Sequence, residues 1–471
     1  MSGDTLGARL AEASAAEREG RIGEAVAILA ELGVAVEDRL DGLLLAGVVA
    51  ARQGGLERAA LLLGRAAKLG GDATLLAIVQ RNRIEILRRL HRPREAVAAG
   101  KAAIALAPDD PVALNNLALA HFAALELDAA LACYDRAIAL DPENAGAQFG
   151  RGEVLLAIGD YAQGWKGYAW RFRLPGVPAP LPPEVLGRRR VRRWRGRALD
   201  GTLLLVADQG FGDVVQFARY IPWAAARCAR LVVAASPELR PLIAQFLEVA
   251  EQVAEWAALG TFQAWAALSD LPALAGTRAE SIPASMVPYL AAGHEDRLRW
   301  RARLDELAPR GMRRPGLRRP GLRRIGLVWA GRASHPQDFA RSAPLAGLAP
   351  LGDVAGVCWV ALQLGGAEAA LGGSFWRAPV VNLGPEIAGF ADTMAILDEL
   401  DLVVTVDTAV AHLAGAMGRA CWLMLARPAD WRWGLNGSGT ACYPSLRLFR
   451  QRRAGEWDCV AREVAAALAE G

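Results

Sequence analysis

The feature that most constrains this chain is a 34-residue period in its first third. Within residues 111–144, PVALNNLALAHFAALELDAALACYDRAIALDPEN, small residues recur where two helices of a hairpin must approach closely. These are Ala118, Ala130 and Ala137, with Tyr134 to fill the space between neighbouring hairpins and Pro142 to end the second helix. The period predicts a stack of helical hairpins, each burying its apolar face against the next.

Further copies of the period lie on both sides of this stretch. One step earlier, in residues 77–110, the equivalent positions hold Ala96, Ala103 and Pro108. Weaker copies begin near residues 20 and 54, and a degenerate copy runs from Ala145 through GDYAQGWKGYAWRF. The pattern resembles the tetratricopeptide repeat and predicts four to five repeats within residues 1–176. Stacked repeats expose a concave surface for a peptide or protein, the role we favour; a module for dimerisation or folding alone is the alternative.

The rest of the chain requires additional domains. At 471 residues, 53% of them hydrophobic, the chain is too long for one core. Proline and then arginine dominate PGVPAPLPPEVLGRRRVRRWRGRALDG, which predicts a linker at residues 177–200. The run GRRRVRRWRGR also suits nucleic acid or anionic lipid, but we favour a solvated linker or an intramolecular role because short basic runs often arise by chance. A second linker, rich in Arg, Pro and Gly, is predicted at residues 310–324.

Outside the linkers, the second part of the sequence alternates between strands and helices. TLLLVA, the Gly-rich turn DQGFGD and VVQFARYIPWAAARCA begin a βαβ pattern at Thr202. Strands restart after the second linker with IGLVWAG, VCWVALQL, VVNLG, LDLVVTV and ACWLMLA. We therefore predict two Rossmann-like halves, residues 201–309 and 325–471, with ligands in a cleft beyond the carboxyl ends of the strands.

Several functional classes have no signal in the sequence. The six cysteines form no C-x-x-C pair and show no metal-ligand spacing, so a reduced, cytoplasmic protein without a metal site is expected. A net charge of +4 gives no reason to expect nucleic acid. No apolar stretch reaches the roughly 18 residues of a membrane span, and the N-terminus lacks a signal-peptide pattern.

Three predicted strand ends carry polar residues suited to chemistry. The first is the turn DQGFGD, in which Gly210 and Gly212 are expected to allow a tight turn and close approach of the backbone. Asp213 ends this turn at the start of the following helix. It suits either a helix cap, which its position favours, or a general base in the cleft.

The second and third strand ends are expected to bind an anion. The loop WAGRASHPQDFARS, with Arg332 and Arg341, could embrace a phosphate, and an ordinary polar loop is the alternative. In DLVVTVDTAVAHLAGAMG, Asp407 and Thr408 end a strand and Ala409 begins a helix, whose free N–H groups make an anion site. The alternative there is that Thr408 simply caps a helix packed tightly on the sheet.

Four segments together resemble one enzyme family. They are LLLVADQGFGDVVQFARYIP, GLVWAGRASHPQDFARSAPL, DLVVTVDTAVAHLAGAMG and PADWRWGLNGSGTACYPSLRLFRQ. From about residue 202 onward, the chain is similar to the tetratricopeptide-linked branch of glycosyltransferase family 9, which includes the lipopolysaccharide heptosyltransferases. The resemblance implies a GT-B fold with an acceptor-side N-terminal half and a C-terminal half that holds a nucleotide sugar. It also implies inversion at the anomeric carbon, with no essential metal and no cofactor.

The resemblance assigns roles to individual residues. Asp213 matches a general base that takes the acceptor proton, in a cleft turn formed with Gln209, Gly210 and Gly212. The donor side is expected to comprise Asp407, Thr408, Ala409, His412, Arg332, Arg341 and Gln363. There the helix start would stabilise charge on the departing diphosphate. His412 would contact the sugar or only order the loop.

Two positions depart from the family pattern. Relatives tend to carry a lysine in the loop after GLVWAG, where this sequence has Pro336 nearby and no lysine. Either Arg332 or Arg341 then supplies the cation, for which arginine is chemically suited, or the activity is impaired. Asp208 stands where relatives often have glutamate.

The sequence thus predicts a cytoplasmic glycosyltransferase that moves a hexosyl or heptosyl group to a protein or glycan acceptor recruited by the repeats. A flagellin-like acceptor is suggested by analogy only. The alternative is a catalytically impaired scaffold that retains nucleotide binding. Nucleic-acid binding is the least favoured, because no recognition fold accompanies the arginine runs.

Overall fold

The structure is a computed structural model of the full chain. It describes residues 3–182, 185, 191–283, 286–307, 322–366, 371 and 376–470. The chain forms two compact units, Met1–Val154 and Leu155–Gly471, which we call the repeat unit and the α/β unit. Most of the predicted linker 310–324 and part of the linker 177–200 lie outside the described residues.

The repeat unit consists of helices packed in sequence as hairpins. They are α1 (Gly3–Arg18), α2 (Ile22–Leu32), α3 (Leu40–Arg52), α4 (Leu56–Leu69), α5 (Ala73–Arg89), α6 (Pro93–Leu106), α7 (Pro111–Ala123) and α8 (Leu127–Leu140), followed by α9 (Ala145–Ala157), which runs into the α/β unit. The predicted helical repeats in the first third are therefore confirmed.

Small residues hold the best-formed hairpin together as predicted. Ala118, Ala130 and Ala137 are fully buried in α7 and α8, and Tyr134 beside them is 1% exposed. A Cβ at Gly150 would overlap the Tyr134 hydroxyl, so position 150 must be glycine for the Tyr134 ring to fit. Packing of this density makes each small position specific, because an added methyl group would have to displace a neighbouring element.

One helix departs from the strict period. Helix α5 begins at Ala73, ahead of the range 77–110 obtained by stepping back one repeat. The reason is local, because the Asp72 side chain caps the helix by accepting a hydrogen bond from the Leu75 N–H at 2.8 Å.

The degenerate last copy of the period belongs to the α/β unit. It forms helix α10 (Tyr161–Tyr168) and a 3₁₀ turn, Ala169–Arg173. The Trp165 indole N–H donates to the Thr277 carbonyl at 2.9 Å, and its ring meets Trp431 edge-on at 5.3 Å between centroids. Aromatic contacts with the α/β fold thus bury this helix, and the unit begins ahead of the predicted boundary at residue 176.

The first sheet of the α/β unit has five parallel strands in the order β1-β5-β2-β3-β4. They are β1 (Arg192–Arg193), β2 (Leu199–Val206), β3 (Cys228–Ala234), β4 (Glu251–Val253) and β5 (Ala264–Ala267), accompanied by α11 (Phe211–Ala218), α12 (Ile221–Ala225), α13 (Arg240–Ile243) and α14 (Leu271–Leu274). Part of the arginine run therefore forms an edge strand. Arg193 has an intramolecular role, because it donates to Asp270 at 2.6 Å.

The second sheet has six parallel strands in the order β11-β10-β9-β6-β7-β8. They are β6 (Arg323–Val328), β7 (Val357–Ala361), β8 (Val380–Asn382), β9 (Leu402–Val406), β10 (Cys421–Leu425) and β11 (Leu446–Arg450), accompanied by α15 (His294–Leu307), α16 (Asp338–Arg341), α17 (Phe390–Asp398), α18 (Ala409–Ala416) and α19 (Trp457–Glu470). This is the Rossmann strand order. Successive strands are added on one side of β6 up to β8 and on its other side from β9 onward, so the switch point lies between β6 and β9. The predicted succession of helical repeats and parallel α/β sheets is confirmed.

A membrane-crossing helix is absent from the described part of the chain, where no helix combines the necessary length and apolar character.

Candidate functional site

The second sheet places two of the predicted donor residues, Arg341 and Asp407, at its topological switch point. Ligands of open parallel sheets bind beyond the carboxyl ends of the two strands where the strand order reverses. Here those strands are β6 and β9, which pair side by side. The loop after β6 carries Arg341, and Asp407 directly follows β9. These two residues therefore flank the crevice in which a ligand is expected.

The start of helix α18 is open at this crevice. Thr408 occupies the N-cap position, but no side chain caps the helix. The Thr408 hydroxyl instead lies 3.2 Å from that of Thr405. The first N–H groups of a helix have no partner inside the helix, and residues 407–410 are only half-buried. Thr408 is therefore not the simple side-chain cap of the alternative interpretation; its carbonyl accepts the Ala411 N–H at 3.1 Å.

Asp407 carries a perturbed carboxyl group. Burial, reinforced by the nearby Asp430 carboxylate, raises the pKa of Asp407 to about 6. The Trp433 indole and the guanidinium groups of Arg341 and Arg432 oppose this shift. Above pH 6 the Asp407 carboxylate is therefore mostly charged and repels an incoming anion. Below pH 6 it is mostly protonated, and this repulsion is removed.

Arg341 supplies a cation from the loop after β6. Its charge acts on both Asp407 and His412. Its own ion pair with Asp338 is long, 3.7 Å, and its buried Nε has no hydrogen-bond partner among the described residues. A Cβ at Gly331 would lie 2.8 Å from the Arg341 guanidinium, so glycine provides the space for it.

Arg332 and Gln363 occupy different positions from Arg341. Arg332 is exposed and stacks on the Phe211 ring, 4.9 Å from its centroid. Gln363 is buried, and its side-chain oxygen accepts the N–H groups of Trp329 and Ala330 at 3.0 and 2.9 Å. Its amide group also donates to backbone carbonyls, at 3.1 and 2.9 Å. The Gln363 side chain thus fixes the start of the loop and has its polar atoms occupied by the backbone.

The turn after β2 differs from its expected geometry. The left-handed residue is Gln209, with φ of 66°, whereas Gly210 is extended with φ of −76°. The backbone conformation at position 210 therefore does not require glycine, but a Cβ there would lie 3.1 Å from an Asp213 carboxylate oxygen, so the expected close approach is present. Gly212 is required for another reason, because a Cβ there would lie 2.7 Å from the His412 ring. Glycine at 212 lets α11 pack directly against α18.

Asp213 is both a helix cap and an ion-pair partner. One carboxylate oxygen accepts the Gly210 N–H at 2.9 Å, which is the favoured cap interpretation. The other oxygen is paired with the guanidinium group of Arg432. Asp213 lies in α11, which follows β2 of the first sheet, and Arg432 lies in the loop after β10 of the second sheet, so this pair joins the carboxyl ends of the two sheets.

Arg432 is the principal site residue that sequence reasoning missed. Its Nε donates to Gln216 at 2.7 Å and its Nη1 to Asp430 at 2.8 Å, while Nη2 contacts Asp213 and lies 3.4 Å from the Tyr168 hydroxyl. The side chain is only 10% exposed. Burial opposes the charged form, but Asp213 and Asp430 hold the pKa of Arg432 well above its usual value. The sequence signal that could have identified Arg432 is its position in the segment WRW, which follows the predicted strand ACWLMLA.

His412 is an internal part of the helix packing. Its Nδ1 lies 3.0 Å from the Tyr443 hydroxyl, and its ring stacks near Trp433 at 5.0 Å. Burial, together with Arg432, Arg219 and Arg341, holds the pKa of His412 well below its usual value, so the ring is neutral. The His412 side chain is 5% exposed, and its two expected roles, contact with the sugar or ordering of the loop, stay predictions.

Comparison with known proteins identifies the repeats. The TPR repeat family matches residues 126–159. A TPR repeat is present. The match combines α8 with α9 and is half a period out of phase with the hairpin at residues 111–144, because the repeat has no unique starting point.

The chain is also similar to other proteins. Protein FlbA of Caulobacter vibrioides is 29% identical over 398 residues, which are 77% of this chain, and the chain spans only 62% of that relative's length. MamA of Desulfovibrio magneticus RS-1 is 21% identical, covering 36% of this chain and 94% of its own, with a TM-score of 0.32. YrrB, described as a TPR protein with an unusual peptide-binding site, is 17% identical, covering 35% and 84%, with a TM-score of 0.30.

Proposed function

We propose that the α/β unit is a GT-B-type glycosyltransferase. It transfers a sugar, with inversion and without an essential metal, from a nucleotide sugar to a protein or glycan acceptor that the repeats recruit. The observation that carries the proposal is the open start of α18 and Arg341 at the switch point of a Rossmann-order sheet, with Asp213 at the strand end of the other sheet.

The donor side is suited to a diphosphate. The N–H groups at the start of α18 supply donors and the positive end of the helix dipole, and Arg341 supplies a permanent cation. Both stabilise charge that grows on the diphosphate as its bond to the sugar lengthens. Arg341, rather than the exposed Arg332, takes the place of the lysine that relatives carry, because its charge acts on Asp407 and its buried Nε has no hydrogen-bond partner among the described residues.

The acceptor side supplies the base. In the proposed reaction, the acceptor oxygen bonds to the anomeric carbon as the bond from that carbon to the diphosphate oxygen breaks. The acceptor proton passes to the Asp213 carboxylate. Attack from the face opposite the diphosphate inverts the anomeric centre. The acceptor hydroxyl must therefore approach Asp213 from the cleft, where this side chain is 21% exposed.

One observation favours a second candidate, a nucleotide-binding scaffold without turnover. Both oxygens of Asp213 are engaged, one by the Gly210 N–H and one by Arg432. The chain's own groups therefore occupy the carboxylate that would have to take the acceptor proton. The scaffold candidate keeps the anion site at α18 and assigns Asp213 to structure alone.

The test of the proposal measures binding and turnover together on the full chain. Binding is measured by calorimetry with UDP, GDP, CDP, ADP and dTDP, and turnover by release of the nucleoside diphosphate from the matching nucleotide sugars. Binding with turnover supports the transferase. Binding of a nucleotide without turnover of any donor, in the presence of captured acceptor proteins, supports the scaffold. No binding across the panel would reject both candidates.

Arg341→Ala is expected to weaken nucleoside-diphosphate binding about 10- to 100-fold, the effect of losing a charge-assisted contact to phosphate. Affinity for the corresponding nucleoside should stay unchanged, because it has no phosphate for Arg341 to meet. Calorimetry on the variant gives both values. Arg332→Ala is the matched control, with an expected change below about threefold because its side chain is exposed and stacked on Phe211. Equal losses in the two variants would contradict the assignment of the cation.

Nucleotide-sugar affinity is expected to rise as the pH falls from 8 to 5.5, with a midpoint near the Asp407 pKa of about 6. Protonation removes a negative charge beside the diphosphate. A nucleotide sugar is the suitable probe, because its esterified diphosphate has no terminal phosphate group to titrate near pH 6. Asp407→Asn should bind the nucleotide sugar tightly over the whole pH range and show no such change in affinity. A pH-dependent change of the same size in this variant would show that another group causes it.

The same carboxyl group links folding to pH. The pKa of Asp407 is higher in the folded chain than the usual 3.9 or so of an unfolded one, so the folded state takes up this proton first. Its contribution to the free energy of unfolding therefore increases as the pH falls through about 6 towards 4.

A further inference from the structure

The guanidinium group of Arg432 lies between the two functional elements of the proposed site. On one side it is paired with Asp213, the proposed base. On the other side, the adjacent Trp433 ring lies 5.0 Å from the His412 ring inside α18, and the charge of Arg432 acts on Asp407 and His412. A single cation is thus within electrostatic reach of both the base and the place proposed for the diphosphate.

The partners of Arg432 differ in how firmly they hold it. Asp430 belongs to the same turn and accepts both the Arg432 backbone N–H at 3.0 Å and its Nη1 at 2.8 Å. Gln216 is neutral. Asp213 is the charged partner that lies outside this turn, in α11, so its contact is the one that can be exchanged while Asp430 keeps the arginine anchored.

We propose that Arg432 is a positioning residue that exchanges partners: it holds Asp213 while the site is empty, and a bound diphosphate draws its Nη2 away and releases the carboxylate. This inference rests on the proposed function. A diphosphate carries more negative charge than a carboxylate and offers arginine a bidentate contact, so it competes effectively for the same N–H groups. The base is then released only when the donor is bound.

The exchange predicts an effect that a structural ion pair would not produce. Asp213→Asn removes the competitor for Arg432, so nucleoside-diphosphate affinity should increase about threefold to tenfold, the effect of removing a partly exposed pair. Asparagine can still accept the Gly210 N–H and so preserve the cap. Nucleoside affinity should not change. Arg432→Gln should lower diphosphate affinity by about tenfold or more, because the charged contact to the phosphate is lost.

A double-mutant cycle separates partner exchange from simple charge repulsion. If Asp213 only repels the diphosphate, Asp213→Asn should tighten binding equally well in an Arg432→Gln background. If Arg432 changes partners, the gain should vanish in that background. Asp398→Asn is the control for breaking a buried pair, since Asp398 pairs with Arg419 at 2.6 Å before the start of β9, at the opposite end of the strand from the site. It should leave diphosphate affinity unchanged.

The outcomes distinguish this inference from the proposed function. Two results would overturn the exchange and leave the donor site intact, provided that the wild type binds diphosphate. In the first, Asp213→Asn does not increase diphosphate affinity. In the second, the increase persists when Arg432→Gln is also present. Unchanged affinity in Arg432→Gln also overturns the exchange, whether or not Asp213→Asn folds. Absence of any nucleotide binding by the folded wild type overturns the proposed function and the exchange with it.

Discussion

Arg171→Met is expected to lower the free energy of unfolding of the α/β unit by about 3–5 kcal/mol, the cost of leaving a buried charge without its partner. Arg171 is only 2% exposed. It donates to Ser269 and to Asp270, both at 2.6 Å, and lies 3.7 Å from Asp208. Burial already raises the pKa of Asp208, and Arg171 is the charge that opposes this rise. Methionine fills similar space but leaves Asp208 without its cation.

Urea unfolding of the full chain, followed by hydrogen exchange, measures this effect locally. Peptides from β2, β5 and α10 should lose protection at lower urea, while those from α3 to α7 should not change. Arg173→Met is the matched control two residues further on, and its exposed side chain predicts a change below about 1 kcal/mol. A loss of protection confined to residues 169–173, with β2 unaffected, would show that Arg171 is dispensable to the sheet.

Arg171 also distinguishes the two switch points of the α/β unit. The first sheet reverses its order between β2 and β5, and there Asp208 and Ser269 bind each other and the chain's own arginine. The second sheet reverses between β6 and β9, where the α18 start has no side-chain cap. The crevice of the first sheet is therefore filled by the segment that follows the repeats.

The parts of the fold predicted from sequence are those fixed by short-range patterns. Ala118 and Ala137 could be assigned to helix crossings because small residues recur with the repeat. The strands were recognisable as apolar runs between turns. The period also extends through Trp165, but periodicity does not record what a side chain packs against, so it could not reveal that this ring meets Trp431. Placing α10 in the α/β unit required the tertiary contacts.

In the site, too, residues defined by local sequence patterns were predicted and those defined by long-range contacts were not. Asp407 and Thr408 could be placed because a strand end followed by a helix is visible in the sequence. Arg432 could not, because its link to Asp213 joins residues far apart in the chain and follows no fixed spacing. The left-handed backbone at Gln209 was missed for a related reason: two glycines lie beside it, yet Gly212 is needed for helix packing against His412 rather than for the turn.

Asp213→Asn is expected to reduce sugar transfer at least about 100-fold, the usual contribution of a positioned general base. The amide cannot take the proton of the acceptor hydroxyl, but it can still accept the Gly210 N–H, so the helix should remain capped. Turnover is measured by mass spectrometry of the captured acceptor and by release of the nucleoside diphosphate. Asp398→Asn should retain wild-type turnover, since it breaks an ion pair away from the site.

The combination of effects in this variant decides between the two candidate functions. A transferase predicts that Asp213→Asn loses turnover while its diphosphate affinity is maintained or increased, because the donor site lies on the second sheet. A scaffold predicts that wild type and variant bind nucleotide and are equally inactive. If the variant instead transferred sugar at the wild-type rate, Asp213 would be a cap and an arginine partner only. The base would then have to be sought among the other groups that face the cleft.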